Sequence, residues 1–542
     1  MSRGKKLIAL SLMTFIIIVV LGAIWGHKGG DPTGTAGTVN NSYTNVFQGG
    51  TAAGIPVSQV GINQLATSTG SAGLAVNFVW VLVCGFLVLF MQVGFAFLVT
   101  GLTRAKNAGH MMMMNIAAFA IALLAYYAVG FAFMFGGLNV ASLGGTAPLS
   151  GMFHVASRMN GGLIGTHGFF LQSHGAYDVG VMVLFLFEVV FMETAGYIII
   201  GAIAERISFA GFLLAEVAMG AIIYPIYGQW VWGGGWLAHL GTGPLSLGHG
   251  AVDFAGSGVV HATGGWAALA LAGILGPRIG KFNKDGSPNA IPGHNIPFVV
   301  IGTLVLVFGW MGFNPGSTLS AIDNRIGIVA VNTLLAACAG FVLAMIVTDI
   351  KYGKPDISMS CNGMLAGLVA VTASCAFIAP WAAVVIGTVA GILVVYSVEF
   401  WDRRGIDDPC GAISVHAVNG SWGVLAVGLF ADGTYGAGWN GVSGNVKGLL
   451  YGDGGQLIAQ LFHVVVGFVW AWGITWVIFT VAKNFMQLRV SPEAEIEGLD
   501  VPEFGVLAYP DFVLHRASPG HIVEGAVDVP VTGAATVDLE RS

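Results

Sequence analysis

Apolar residues run along this chain in blocks of about twenty, separated by polar and glycine-rich breaks, without the strict alternation of a β-strand. A block of that length crosses a ~30 Å hydrocarbon core as a helix. The strands of a membrane barrel would instead read as ~10-residue segments of period two. The pattern predicts helices at about 77–101, 112–136, 177–202, 208–227, 254–275, 295–315, 325–350, 358–378, 379–399, 411–430 and 456–485. Eleven crossings put the two ends of this core on opposite faces of the membrane. Upstream, Arg3, Lys5 and Lys6 precede an apolar run from Leu7 to about Ala23, followed by a Gly/Thr/Ser/Asn-rich stretch to about Ala75. The run is either a cleaved signal peptide or an uncleaved anchor that adds a twelfth helix, and the polar stretch is external in both cases. The chain therefore divides into an N-terminal segment (1–76), a membrane domain (77–485) and a C-terminal tail (486–542).

Composition agrees with this all-α polytopic membrane class. Charged residues make up only 9% of the 542 and hydrophobic ones 55%, whereas soluble domains carry roughly 25% charged residues. The 82 glycines fit close packing of helix backbones in lipid. The net charge of −6 is local: residues 490–542 hold ten acids against two bases. Nothing here forms a nucleic-acid footprint. One set of connections holds Arg104, Lys106, Arg206, Arg278, Lys281, Lys284, Lys351, Lys354, Arg403, Arg404, Lys483 and Arg489, and the opposite set holds Arg158, Arg325 and Lys447. That asymmetry predicts a core whose N-terminus is outside and whose C-terminus is cytoplasmic, in a plasma or inner membrane. Cys84, Cys338, Cys361, Cys375 and Cys410 lie in or beside apolar segments without a CxxC pair, and read as packing residues.

The chain also repeats itself. GVVHATGGWAALALAG, from Gly258, is echoed by ISVHAVNGSWGVLAVG, from Ile413, so that His261 and His416 stand 155 residues apart. They fall on the fifth and tenth predicted helices, which run in opposite directions. This is the pattern of an inverted-topology repeat, whose substrate path lies where the halves meet near the midplane. Polar groups in the bilayer are costly and usually line a pathway, so two equivalent histidines predict a facing pair of neutral imidazoles in a pore. A bis-histidine haem is the rival reading. It lacks a CxxCH attachment, His463 is the only other well-placed interior histidine, and no cofactor is expected.

Aromatic residues gather toward one end of these helices: Phe191, Trp232 in WVWGGGW, and Trp310 with Phe313 in GWMGFNPGS, where Ser317 follows. Aromatic faces attract small cations, by up to ~2 kcal/mol when desolvated. Together with DFAGSGVVH (Asp253–His261), GAIAERI (Gly201–Ile207), VWGGG (Val231–Gly235), GWMGFNPGS (Gly309–Ser317), DDPCGAISVH (Asp407–His416) and RVSPEAEIEGLD (Arg489–Asp500), these residues resemble the ammonium transporter (Amt/Rh) family, in its microbial Amt branch. The resemblance implies eleven helices built as two inverted five-helix halves plus one, a homotrimer with one pore per subunit, and ammonium or ammonia as substrate. It also implies roles. Trp232, Phe191 and Ser317 would recruit ammonium, with Asp253 buried and shaping that site. Phe191 and Phe313 would be the gate, and His261 and His416, with Trp310, would line the pore.

Some positions depart from the family pattern. Glu188 and Glu193 flank Phe191 where an amide and a small residue are expected, and they are either structural acids or an added cation or proton site. On a helix Glu188 projects about 60° from Phe191 and Glu193 about 160°. The outer segments carry His154, His167, His174, His239 and His249, read as loop histidines with no metal centre expected. In the tail, Phe504 and Val506 stand where the family has His and Glu. This weighs against control by a PII-type signalling protein and leaves subunit coupling in place. The alternative to transport, without enzyme chemistry, is an ammonium sensor that signals to a partner through its tail.

Overall fold

The structure, a computed structural model, describes residues 62–510 apart from 139–148, 150, 155–160, 172–177, 243–244 and 443. The N-terminal apolar run with its signal-or-anchor alternative, Arg158, His174 and the tail after residue 510 lie outside the described residues. Ten helices among the described residues are long and apolar enough to cross a membrane, and an eleventh is shorter. In order they are α1 (Ile62–Leu102), α2 (Ala105–Phe135), α3 (Val179–Ile203), α4 (Phe209–Val231), α5 (Ser257–Leu275), α6 (Ile296–Gly316), α7 (Ile326–Tyr352), α8 (Ile357–Thr372), α9 (Pro380–Arg403), α10 (Ile413–Phe430) and α11 (Gly454–Ala482). Two short helices, α12 (Pro492–Glu497) and α13 (Asp500–Phe504), lie in the tail.

The boundaries that differ most from the hydropathy reading are the starts of α1 and α2, the latter at Ala105 rather than 112, and the end of α8. α1 begins at Ile62 rather than 77, within the stretch read as polar linker. A helix satisfies its own backbone polar groups whatever its side chains, and no proline interrupts 62–102. α8 ends at Thr372 instead of 378. The chain then turns toward Pro380, which holds Ala379 extended, as the residue before a proline is.

Glycine sets the helix spacing. α1 and α6, the first helices of the two halves, approach at Gly94 and Gly302, where a Cβ on either would crowd the carbonyl oxygen of the other. α7 is clamped between α8 and α9 in the same way. Cβ atoms at Gly363 or Gly391 would strike the Gly340 carbonyl, and at Gly367 or Gly387 that of Ala336. In lipid, where apolar side chains gain nothing by leaving water, this backbone proximity is what van der Waals association requires.

At the end rich in basic residues, charges are paired and buried. Glu205 takes the left-handed backbone conformation (φ +68°), unusual outside glycine. It is held there by Arg104, through the backbone N (2.5 Å) and the side chain, and by Arg278 (3.1 Å). Burial alone would raise the Glu205 carboxyl, but Arg278 and Arg104 hold it below the ordinary range. Arg278 also meets Asp407 at 2.8 Å. Burial raises that carboxyl too, yet the Arg278 hydrogen bonds and charge bring it down to about 2. The tail docks on the same end: Asp500 accepts from the N–H groups of Gly109 and His110, Glu503 from that of Phe209, and Arg489 pairs with Glu495 at 2.8 Å.

Gly340→Val should overpack the α7 contacts and cost about 1–3 kcal/mol, lowering the unfolding temperature in detergent followed by tryptophan fluorescence. Gly273→Ala, where a Cβ meets nothing within 4 Å, should leave it level or slightly higher. A carboxyl depressed in the folded state stabilises above its unfolded value of roughly 4 and loses that contribution as pH falls toward about 2. Asp407→Asn should therefore lower stability near neutrality, by about 3–5 kcal/mol for a broken buried pair, and flatten the decline between about pH 4 and 2. A parent-like acid limb in Asp407→Asn would contradict this assignment.

Candidate functional site

The entry to α5 is built around one carboxylate. Asp253 is fully buried, and its Oδ1 accepts from the N–H groups of Gly256 (2.8 Å) and Ser257 (3.0 Å) while Oδ2 accepts from Gly258 (2.8 Å) and Val259 (2.9 Å). Burial pushes this carboxyl up to about 6 and the four bonds oppose the rise, so it is ionised at neutral pH. Gly256 supplies the left-handed turn (φ 111°) that lets the chain fold over it. The first turn of α5, Ser257–Ala262, is a π-turn with His261 near its end. α10 repeats the design: its π-turn is Ile413–Val418, with His416 at the matching place. Asp408, 155 residues after Asp253, accepts from Ala412 (3.0 Å) and Ile413 (2.7 Å). Such π-turns concentrate at functional positions because they re-aim side chains.

α5 and α10 cross at two equivalent glycines. A Cβ at Gly265 would overlap the Ala417 backbone, and one at Gly420 would overlap Ser257. Their closeness brings the imidazoles together, with Nδ1 of His416 3.3 Å from Nδ1 of His261. Above them the rings form a continuous column. Phe191 and Phe313 stack with centroids 3.9 Å apart, and His261 stacks on Phe313 at 5.4 Å, on Trp310 at 5.0 Å and on His416 at 5.3 Å. Trp310 is fixed by its Nε1 donating to Thr372 Oγ1 at 3.0 Å.

The column opens on a cavity of about 850 Å³ bordered by Phe191, Trp232, Ser317 and Glu188. Trp232 stands edge-on to Phe191 at 6.3 Å, and its Nε1 donates to the Asp253 carbonyl at 2.6 Å. Ser317 donates to the Phe313 carbonyl at 2.8 Å, which leaves its oxygen free to accept. At the other end, below His416, the space narrows to about 20 Å³ between Phe95, Tyr197, Ile198 and Val415. The two glutamates of α3 part company. Glu188 borders the outer cavity, 7% exposed, with Oε2 unpartnered among the described residues. Glu193 does not border it. It points across α3, as the helical angle implies, and accepts from Gln92 of α1 at 2.8 Å. His239 and His249 border the outer cavity, whereas His154 and His167 contact the carbonyls of Gly161 and Leu149.

Some residues escaped the sequence reading. Asp408 is legible in the 155-residue offset that relates the two histidines, since the same offset carries Asp253 onto it. His463, known only as an interior histidine, is fully buried on α11 with Nε2 3.9 Å from Asp253 Oδ2, beyond hydrogen-bond reach. Glu216, a lone acid in the apolar run FLLAEVAMG, is fully buried, and that isolation was its signal.

A family model described as Ammonium Transporter Family matches residues 79–509. The chain is similar to Ammonium transporter Amt2 of Archaeoglobus fulgidus, 50% identical over 441 residues that cover 81% of this chain and 89% of the relative. It is also similar to Ammonium transporter Amt1 of Haloferax mediterranei, 37% identical over 81% of this chain and 80% of the relative. Among solved structures, one named Sensor Amt Protein superposes with TM-score 0.70 at 37% identity, covering 80% of this chain and 100% of its own. The crystal structure of Candida albicans Mep2 does so with TM-score 0.64 at 27% identity, covering 77% and 87%. A match that runs from the first helix into the tail, over a bundle of the same fold, assigns the protein to the ammonium transporter family, in its Amt branch.

Proposed function

We propose that the protein recruits ammonium at the outer aromatic cavity and passes ammonia along the twin histidines. The observation that carries this reading is the unbroken column Phe191–Phe313–His261–His416 leading inward from a cavity edged by Trp232 and Ser317. A cation at that cavity meets aromatic faces and the Ser317 oxygen. An ammonium ion would suffer a large desolvation penalty in the apolar column beyond, so the passage favours loss of a proton at the Phe191–Phe313 gate. Potassium has no proton to lose and no hydrogen bond to donate to an imidazole. Asp253 acts indirectly. Its carboxylate is occupied by four N–H groups, and it fixes the turn whose carbonyl holds Trp232.

Orientation belongs to the same reading. Arg104, Arg278, Lys281, Lys351 and Arg489 all engage acids at the end where the tail docks, and this asymmetry makes that end cytoplasmic. A homotrimer with one pore in each subunit completes the proposal.

Asp253→Ala, or replacement of both His261 and His416 by Ala, should reduce ammonium uptake into reconstituted vesicles more than tenfold, with monodisperse protein as the control for folding. Uptake unchanged in both would sink the transport reading. Tight ammonium binding without flux or current in the parent protein would favour the sensor alternative. Glu188 should strengthen recruitment through its charge. At ~7 Å and an effective dielectric near 20, the attraction of the ionised carboxylate is roughly 2–3 kcal/mol, so Glu188→Gln should raise the half-saturating ammonium concentration tenfold or more at a pH where the carboxylate is ionised, and leave it nearly unchanged at acidic pH. An unchanged half-saturation would make the glutamate purely structural.

A further inference from the structure

Two further acids lie within the apolar bundle, on the far side of α3 from the outer cavity. Glu193 of α3 is 1% exposed and Glu216 of α4 is fully buried. One oxygen of Glu193 accepts from Gln92. Its other oxygen, and both oxygens of Glu216, have no hydrogen-bond partner among the described residues. Glycine seats the second acid against the first: a Cβ on Gly196, three residues after Glu193, would collide with Glu216 Oε2. Tyr197 comes next in the chain. Its ring stacks on Phe95 of α1 at 5.4 Å, it is 2% exposed, and its hydroxyl is likewise unpartnered within electrostatic reach of both carboxyls.

The surroundings offer no counter-charge. The two carboxyls act on each other, and α1 contributes the neutral Gln92. α2 packs against both α3 and α4, but its His110 lies beneath the tail against Phe504, and its Tyr126 donates to the Met134 sulfur. α5 packs on α3 and carries His261, whose ring belongs to the pore column. Glu188, on α3 itself, borders the outer cavity. No lysine or arginine acts on either carboxyl among the described residues.

Two adjacent carboxylates in an apolar interior cannot both stay ionised, because each loses its hydration and each repels the other. Carboxyl pairs in such sites hold a proton between them. A metal or alkali ion fits less well, since Glu216 Oε2 is wedged against the Gly196 backbone and Gln92 turns an N–H, not an oxygen, toward Glu193. We propose that Glu193 and Glu216 form a proton-binding site buried beside the pore, with at least one carboxyl protonated at neutral pH and the Tyr197 hydroxyl beside the pair, short of hydrogen-bond contact. Tyr197 also borders the narrow space below His416, and this links the acid pair to the inner half of the pore. Binding is a simple protonation, a carboxylate taking one proton to become a carboxylic acid, with no other bond changed. The inference stands apart from the transport reading and is tested without ammonium.

Infrared spectra of the purified protein in H2O and D2O read it directly. The parent should show a protonated-carboxyl C=O band at neutral pH that moves to lower frequency in D2O. Glu193→Gln and Glu216→Gln should each shift or weaken that band, because the remaining carboxyl is still buried without a counter-charge, and the two substitutions together should remove it, whereas Glu188→Gln should leave it. Tyr197→Phe keeps the ring stack and removes a dipole near the pair, so it should shift the same band. The single variants keep the test decisive if the double variant fails to fold. Spectra in which the double variant keeps the band, or in which neither single variant changes it, would overturn the proposal.

Discussion

Four backbone N–H groups, from Gly256 to Val259, converge on the carboxylate of Asp253, and the geometry of the aromatic and histidine column depends on that convergence. The first N–H groups of a helix have no intrahelical partner, and inside a membrane bundle they have little water to turn to. A carboxylate that takes all four both satisfies them and fixes the direction in which α5 starts. Trp232 is then anchored on the Asp253 carbonyl and stands edge-on to Phe191. His261 leaves the π-turn stacked on Trp310 and Phe313. Removing the carboxylate would strand four donors at once, so the geometry of the aromatic cavity and local stability are one problem here.

The second half of the chain solves the same problem with a smaller version. Asp408 takes two N–H groups in place of four, and Gly420 mirrors Gly265 at the crossing of α10 with α5. The symmetry places the imidazoles nose to nose, while their two sides differ. One side faces a cavity of about 850 Å³ beside aromatic faces, and the other a space of about 20 Å³ with largely apolar lining. A cation would gain contacts in the wide cavity and lose solvation beyond it, which is the asymmetry the proposed uptake draws on.

Much of this was legible from the chain because membranes impose few solutions. Apolar runs marked the helices, and the shared V-H-A pattern marked two residues that the structure brings within 3.3 Å. What stayed hidden depended on three-dimensional neighbours. No spacing connects Gln92 to Glu193, or Gly196 to Glu216, since these contacts join separate helices whose rotation is set by packing. The start of α1 was missed for another reason. Hydropathy locates the hydrocarbon core, and a helix can extend past it through polar residues at no cost to its own hydrogen bonds.

The tail shows how a departure from a family pattern can be absorbed. Asp500 and Glu503 accept from N–H groups at the starts of α2 and α4, where negative charge also complements the helix dipole. Lys106, in the first turn of α2, donates in return to the carbonyls of Glu495 and Ile496. Phe504 stands where the family has a histidine. Its ring packs edge-on against Phe209 at 4.9 Å and lies 5.6 Å from His110, so apolar contact closes the joint that polar bonds flank. The chain to residue 510 is therefore bound to the membrane domain by groups on α2 and α4. Because α4 also carries Glu216 and leads into Trp232, a shift of the docked tail would act on the same helix that frames the outer cavity.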